Sequence, residues 1–67
     1  MKRYYVSSSN IESVGWENNV LVVEFKNGAV YQYYDFTESE YRAFMSAPSL
    51  GHEISVIDKT HRYARIH

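Results

Sequence analysis

Residues 20–36 constrain this fold most, because they carry the sequence signature of a β-hairpin. Apolar β-branched and aromatic residues, the types that strands prefer, lie on both sides of Asn27-Gly28. Asn and Gly are the residues that best tolerate the positive φ required at both central positions of a two-residue type I′ turn. The segment therefore predicts two antiparallel strands joined by a two-residue loop at Asn27-Gly28.

A two-residue loop also fixes the register of this hairpin. It pairs Phe25 with Val30, and alternate residues of each strand then share a face. One face is apolar except for Gln32, and we assign it to the core, while the other face carries Tyr31 and Tyr33. With contributions from the flanking segments, the predicted core comprises Val14, Trp16, Leu21, Val23, Phe25, Val30, Tyr34, Phe36, Tyr41, Phe44 and Met45.

The segment before the hairpin predicts a third strand over residues 11–16. A four-residue loop that pairs Trp16 with Leu21 places Trp16 on the core face, whereas a three-residue loop places it on the tyrosine face. We favour the first arrangement because so small a core needs its only tryptophan. Residues 1–10 form an N-terminal arm, in which residues 4–6 are either a short edge strand or a mobile extension.

A helix is predicted over residues 38–47. Thr37-x-x-Glu40 is a capping box, in which each side chain accepts a hydrogen bond from the backbone N–H of the other residue. Tyr41 and Phe44 begin an apolar stripe at helical spacing, and Pro48 ends the helix. We expect this helix to cover the core face of the sheet.

The C-terminal segment, residues 48–67, is specified less clearly. Leu50, Ile54 and Ile57 have the spacing of a second short helix, although residues 54–56 alternate like a strand, and we favour the helix. Residues 60–67 form a polar, basic tail. The chain is thus predicted to be one α+β domain over residues 1–67, with a three-stranded antiparallel meander (11–16, 20–26 and 29–35) packed on one face by helix 38–47.

Composition and charge narrow the class of protein. The 67 residues include no cysteine, so neither a disulfide framework nor a cysteine zinc site can form. No apolar run approaches the roughly 20 residues of a membrane helix, and we expect a cytoplasmic protein without a membrane partner. The net charge is −1, with basic ends and an acidic middle, which is not the footprint of a strongly nucleic-acid-binding domain.

No motif indicates catalysis or a cofactor. His52, His61 and His67 lack the i, i+4 spacing of metal ligands, and the serines at residues 7–9 lie in no nucleophile motif. The three glycines form no phosphate-binding loop. We therefore expect no catalytic residue, no metal ligand and no cofactor.

A wider pattern joins these segments. In order along the chain it comprises Ser8-Ser9-Asn10-Ile11, Val14-Gly15-Trp16, Leu21-x-Val23-x-Phe25-x-x-Gly28, Tyr31-x-Tyr33 and Tyr41. Over about residues 6–63 the chain resembles the KTSC domain, a family named for the C-terminus of some lysyl-tRNA synthetases and also found as short stand-alone bacterial and phage proteins. The resemblance implies RNA binding as one function to test. The chain departs from the family pattern after Gly51, where His52 replaces the start of an aromatic-Asn pair.

Two binding hypotheses follow for a non-catalytic module. The first is protein interaction or self-association through the sheet, including a homodimer, because edge strands present unpaired backbone groups. The alternative is binding of single-stranded RNA, with bases stacked on aromatic rings and phosphates on basic side chains. We favour protein because the middle of the chain is acidic. The predicted binding residues are Tyr31, Tyr33, Lys26, Lys59, Arg62 and Arg65.

Overall fold

The computed structural model describes residues 1–67 as a five-stranded antiparallel sheet packed against two helices. The elements are β1 (Arg3–Tyr5), β2 (Ile11–Glu17), β3 (Val20–Phe25), β4 (Val30–Tyr33), α1 (Glu38–Met45), α2 (Leu50–Thr60) and β5 (Tyr63–Arg65). The strands follow one another across the sheet in chain order. The predicted α+β class is therefore confirmed, whereas the predicted count of three strands is wrong, because β1 and β5 extend the sheet at its two edges.

The β2–β3 hairpin has the predicted register. Asn18 and Asn19 both adopt positive φ, at 53° and 62°, as a two-residue type I′ turn requires. Glu17 and Val20 pair on either side of this turn, so four residues separate Trp16 from Leu21. These two residues pair with each other, as predicted. Trp16 then lies on the helix side of the sheet, where its indole Nε1 donates a hydrogen bond of 2.7 Å to the Phe36 carbonyl.

The β3–β4 hairpin differs from the prediction by one residue. Its loop has three residues, because Phe25 closes the turn by donating its N–H to the Ala29 carbonyl at 2.8 Å. Gly28 alone adopts positive φ, at 93°, while Asn27 does not and instead accepts a hydrogen bond of 3.0 Å from the Ala29 N–H. A three-residue loop with glycine in the left-handed region is the other common way to join hairpin strands. The two-residue loop was therefore wrong.

The one-residue difference exchanges the two faces of β4, since side chains alternate along a strand. Tyr33 now pairs with Leu21 and Tyr31 with Val23, which places both tyrosines on the helix side. Gln32 moves from the predicted core to the opposite face. This arrangement removes the one polar residue that the predicted register had placed in the core.

The buried core reflects this register. Nine residues form one cluster: Ile11, Val14, Leu21, Val23, Tyr33, Phe36, Phe44, Ile54 and Ile57. Of the other predicted core residues, Trp16, Phe25, Tyr41 and Met45 are partly buried against the cluster. Val30 and Tyr34 are not part of it, because the observed register turns them to the other face.

Both helices begin as their sequences indicate. At the start of α1 the Glu40 N–H donates to Thr37 Oγ1 at 3.1 Å and the Thr37 N–H donates to Glu40 Oε1 at 2.9 Å, so the capping box is confirmed. The favoured second helix is also present, and Ile54 and Ile57 are its buried residues. Neither helix is long and apolar enough to cross a membrane.

The two chain ends complete the sheet. Residues 3–5 pair with Ser13–Gly15 of β2, which resolves the alternatives for the N-terminal arm in favour of a strand. Residues 63–65 were predicted as part of a polar tail, and instead form β5 beside β4, with Tyr63 opposite Tyr33. The tail prediction was wrong because three residues are too few to carry a recognisable alternation.

Substitutions of two neighbouring tyrosines test the β3–β4 register directly. We expect Tyr33→Ala to lower the free energy of unfolding by about 3–5 kcal/mol, because it empties a large buried site. Tyr34→Ala removes the same side chain from the opposite face and should cost only about 1 kcal/mol. Urea denaturation of both variants measures the difference, and equal losses would contradict the observed register.

Candidate functional site

The most distinctive surface feature is a groove between β5 and α2, which we call the aromatic groove. It encloses about 320 Å³. The residues that line it are Phe25, Asn27, Ala29, Tyr31, Tyr33, Ile54, Asp58, Tyr63 and Arg65. It forms because the β3–β4 register turns the tyrosines of β4 toward α2, and β5 adds a further tyrosine at the sheet edge.

Three aromatic rings pack around Tyr31 in this groove. Its ring centroid lies 5.5 Å from that of Phe25 in an edge-to-face contact, and 6.3 Å from that of Tyr33 in a stacked one. Tyr63 lies 5.7 Å from Tyr31 and 5.5 Å from Tyr33. These separations fall within the range of favourable aromatic pairs. The cluster therefore holds Tyr31 and Tyr63 in fixed positions on the groove wall.

Tyr33 lies at the floor of the groove, where its ring is not accessible to a ligand. Its ring is buried, and its hydroxyl donates a hydrogen bond of 2.9 Å to Asp58 Oδ1 on α2. Burial, and then the hydrogen bond to Asp58, raise the pKa of Tyr33 well above its usual range. The phenol therefore stays protonated and acts as a fixed donor that ties β4 to α2.

The structure brings together only part of the predicted binding set. Tyr31 and Arg65 line the aromatic groove. Tyr33 lies within it, but at 1% exposure it cannot offer its ring to a stacked base, so the stacking role predicted for it does not fit the structure.

The other predicted basic residues lie elsewhere. Lys26 is in the β3–β4 loop, Lys59 is exposed in the last turn of α2, and neither lines the groove. The Arg62 guanidinium lies 3.3 Å from Asp35 Oδ2 in a solvent-exposed ion pair. Exposed pairs of this kind contribute little to stability, so Arg62 is only weakly held. The predicted basic binding residues are therefore spread over several elements rather than gathered in the groove.

Sequence reasoning missed Tyr63 and Asp58 as parts of this site. Residues 63–66 alternate, so that Tyr63 and Arg65 share a face, but this stretch is too short to be told from an irregular tail. Asp58 follows Ile54 by four residues, so the predicted second helix places the two side chains on one face. Only the position of α2 over the sheet brings Asp58 to Tyr33.

The outer edge of β5 has unpaired backbone groups. The Tyr34 N–H donates to the Arg62 carbonyl at 2.9 Å, and the Ile66 N–H donates to the Val30 carbonyl at 2.8 Å. In an antiparallel ladder the hydrogen-bonding residues alternate, so even-numbered residues here turn their backbone groups toward β4. The N–H and C=O groups of Tyr63 and Arg65 consequently point away from the sheet. We call this row the β5 edge.

A second hollow, of about 490 Å³, lies where the segment before β2 meets the start of α2. Its polar groups are used locally: Ser8 Oγ accepts hydrogen bonds from the backbone N–H groups of Asn10 and Ile11. Ser49 Oγ caps α2 by accepting from the His52 N–H at 3.3 Å. These bonds order the two junctions and account for the Ser8 and Ser49 hydroxyl groups without a ligand.

The raised pKa of Tyr33 predicts late ionisation of one phenol. The folded state holds this proton above the ordinary value of 10.0, so its contribution to stability is complete below that pH and is lost as the pH rises beyond it. Burial also raises the pKa of Tyr41, so titration by phenolate absorbance should show two late phenols in the parent and one fewer in Tyr33→Phe. Tyr34→Phe is the matched control. A late absorbance change that keeps its full size in Tyr33→Phe but shrinks in Tyr34→Phe would contradict the assignment.

Comparisons with known proteins agree with this fold. The model of the KTSC domain family matches residues 7–52 of the chain. An uncharacterised protein of Stutzerimonas stutzeri (strain A1501) is 35% identical over 65 residues, covering 94% of this chain and 92% of that protein. The crystal structure of a KTSC domain protein from Yersinia pestis is similar with a TM-score of 0.88 and 36% identity, covering 98% of this chain and 97% of that one. The resemblance seen in the sequence is thus confirmed, and the chain belongs to the KTSC domain family.

Proposed function

We propose that this protein is a non-catalytic interaction module that adds an extended protein strand to its β5 edge, and that a second copy of the chain is the first such partner. The observation that carries the proposal is the row of unpaired backbone groups at Tyr63 and Arg65 beside the aromatic groove. Strand addition uses backbone hydrogen bonds for affinity and neighbouring pockets for specificity. The β5 edge supplies the backbone hydrogen-bonding groups, and the aromatic groove supplies the neighbouring pocket.

The β5 edge is complementary to itself. If two β5 strands pair antiparallel about Ala64, each Tyr63 lies opposite Arg65 of the other copy. Both of these residues have outward backbone groups, so the two pairs exchange four hydrogen bonds. A guanidinium opposite a tyrosine ring also forms a favourable cation–π contact. The contact is isologous, as in most dimers, and therefore closes without forming fibres.

The side chains at this edge are available for such a contact. The ring of Tyr63 is 49% exposed although it packs on Tyr31 and Tyr33, so a partner can cover it without rearranging the cluster. The only internal hydrogen bond of the Arg65 side chain is from Nε to the His67 carbonyl at 2.9 Å. The terminal amino groups of the guanidinium are thus free to meet a partner.

The interior of the groove supports a binding role rather than a chemical one. The hydroxyl of the buried Tyr33 is already hydrogen-bonded to Asp58 and has a pKa raised by burial away from the range of acid–base catalysis. The remaining walls are aromatic or aliphatic, as is typical of pockets that take an apolar side chain.

Single-stranded RNA is a second candidate, favoured by the exposed Tyr63 ring beside the Arg65 guanidinium. An accessible ring contributes about 1–3 kcal/mol per stacked base, and an adjacent cation meets the phosphate. Against RNA, the Asp58 carboxylate lines the same groove and repels phosphate. We therefore place RNA second.

Sedimentation velocity over a range of protein concentrations tests self-association. We expect the parent to dimerise and Arg65→Pro to remain monomeric, because proline removes the outward N–H and is tolerated on an edge strand when that N–H faces solvent. Arg65→Ala is the matched control: it removes the guanidinium and keeps the N–H, so it should weaken the dimer without abolishing it.

Two outcomes contradict self-association through β5. The first is a parent chain that stays monomeric at millimolar concentration. The second is an Arg65→Pro variant that keeps its native amide spectrum and still dimerises like the parent. An NMR titration with a short mixed single-stranded RNA tests RNA binding, the second candidate function. Chemical-shift changes at Tyr31, Tyr63 and Arg65 that weaken as salt rises would support RNA binding instead.

A further inference from the structure

Asp58 carries a negative charge that has no partner within the chain. It lies in the last turn of α2, where it lines the aromatic groove. The single hydrogen bond of its side chain is the one that Oδ1 accepts from the Tyr33 hydroxyl, and none of the ion pairs of the chain includes it. Tyr33 needs an acceptor, which a neutral amide oxygen would also supply. A carboxylate at the C-terminal end of a helix also opposes the helix dipole. The charge of Asp58 is therefore unused in the isolated chain.

Arg65 is the other charged residue of the aromatic groove, and it does not pair with Asp58 within the chain. Arg65 lies opposite Tyr31 in the sheet. Asp58 is bonded to Tyr33, which lies opposite Tyr63. Tyr63 and Arg65 are two residues apart on β5, a separation of about 7 Å. The groove therefore has an acidic end at Asp58 and a basic end at Arg65.

Antiparallel pairing of two β5 strands brings the basic residue of one copy to the acidic end of the other. With Ala64 at the centre of the pair, Arg65 of the second copy lies opposite Tyr63. Directly opposite residues of an antiparallel pair share one face of the sheet, and Tyr63 faces the groove. Arg65 of the second copy therefore extends the row formed by Tyr33 and Tyr63, at the end of the groove where Asp58 lies. The pair is symmetric, so the same contact forms a second time.

The same pairing brings the two Arg65 side chains near each other. They are diagonal neighbours on one face, about 7–8 Å apart, and like charges at that distance repel. Asp58 is the only acidic residue that lines the groove, so it is the group placed to offset this repulsion. Each copy supplies one carboxylate and one guanidinium, so the charges of the two grooves balance in the dimer.

We propose that Asp58 is the counter-ion for Arg65 of a second copy, so that the acidic end of the groove is a guanidinium site that only the dimer completes. A planar guanidinium stacks on a ring such as that of Tyr63 and donates to a carboxylate at its edge, while its apolar stem packs on aromatic walls. The contact rests on the proposed pairing of β5 strands. It adds a requirement for the partner, which must carry an arginine opposite Tyr63.

Sedimentation equilibrium measures what the charge of Asp58 contributes. Asp58→Asn keeps an oxygen that can accept from Tyr33 and removes only the charge. Because the contact occurs twice in a symmetric dimer, a loss of about threefold at each site should raise the dimer dissociation constant on the order of tenfold. Glu53→Gln is the matched control. It removes the same charge from the same helix at a residue outside the groove, so it should leave the dissociation constant unchanged.

Exchanging the two charges shows whether the contact runs between copies. Asp58→Arg and Arg65→Asp are each made in a Tyr33→Phe background, so that no tyrosine hydroxyl loses its acceptor. Either variant alone brings like charges together at both sites, and it should be monomeric at concentrations at which Tyr33→Phe alone dimerises. An equal mixture of the two variants restores an opposite pair at each site and should dimerise.

A second mixture controls for contact between the two residues at position 65. Mixing the Arg65→Asp variant with Tyr33→Phe alone also removes the repulsion between arginines, but it leaves Asp58 facing an aspartate at one of the two sites. This mixture should dimerise more weakly than the mixture of exchanged variants. Neither exchanged variant holds an opposite pair within its own chain, so an intramolecular contact cannot produce the rescue.

The contact and the proposed function fail separately. If Asp58→Asn dimerises as tightly as the parent while Arg65→Pro is monomeric, strand pairing at β5 stands and the counter-ion role of Asp58 is rejected. The role is also rejected if the exchanged variants dimerise no better than the second mixture. Should Asp58→Arg not fold, the result for Asp58→Asn decides. A parent chain that stays monomeric at millimolar concentration rejects self-association and the contact together.

Discussion

The closing pair of the β3–β4 hairpin determines how the rest of this domain is arranged. The Phe25 N–H bonds to the Ala29 carbonyl, and Gly28 supplies the positive φ that lets the chain re-enter the sheet after three residues. A register shifted by one residue would turn Tyr31 and Tyr33 to the far face. The buried tyrosine, its bond to α2 and the aromatic groove all require this one turn.

A domain of 67 residues without disulfides has a small core. Hydrogen bonds between its sheet and its helices therefore contribute a large share of its stability. Two of them connect the sheet side to the helices through single side chains. Tyr33 donates to Asp58 of α2, and the Trp16 indole donates to the Phe36 carbonyl just before α1. The Trp16 ring also stacks on Tyr41, with centroids 5.8 Å apart. Each aromatic ring therefore contributes apolar contact and one directional bond, which fixes the helices in place.

The sequence predicted those features that depend on local chemistry. The capping box at Thr37, the Trp16–Leu21 pair and α2 each rest on residues within about one turn or one hairpin. The β3–β4 register was not predictable from Asn27-Gly28 alone, because that pair fits loops of either two or three residues. The polar Gln32 in the predicted core was the signal that favoured the other loop. Tyr31 and Arg65 of the site were predicted, whereas Tyr63 and Asp58 depend on where β5 and α2 pack, which only tertiary contacts decide.

The two edges of the sheet differ in a way that favours β5 over β1 for the proposed strand addition. Two ion pairs hold the β1 edge in place. The Arg3 guanidinium lies 3.0 Å from Glu24, and the N-terminal amine lies 3.7 Å from Glu17. Gly15 beneath this edge admits no side chain, since a Cβ would lie 2.9 Å from the backbone carbonyl oxygen of Lys2. Charged side chains on an edge strand discourage pairing with other strands. The β5 edge instead combines one arginine with a half-exposed tyrosine. In the proposed dimer each of these residues would face the other residue of the second copy, and the single positive charge would discourage pairing with nonspecific strands.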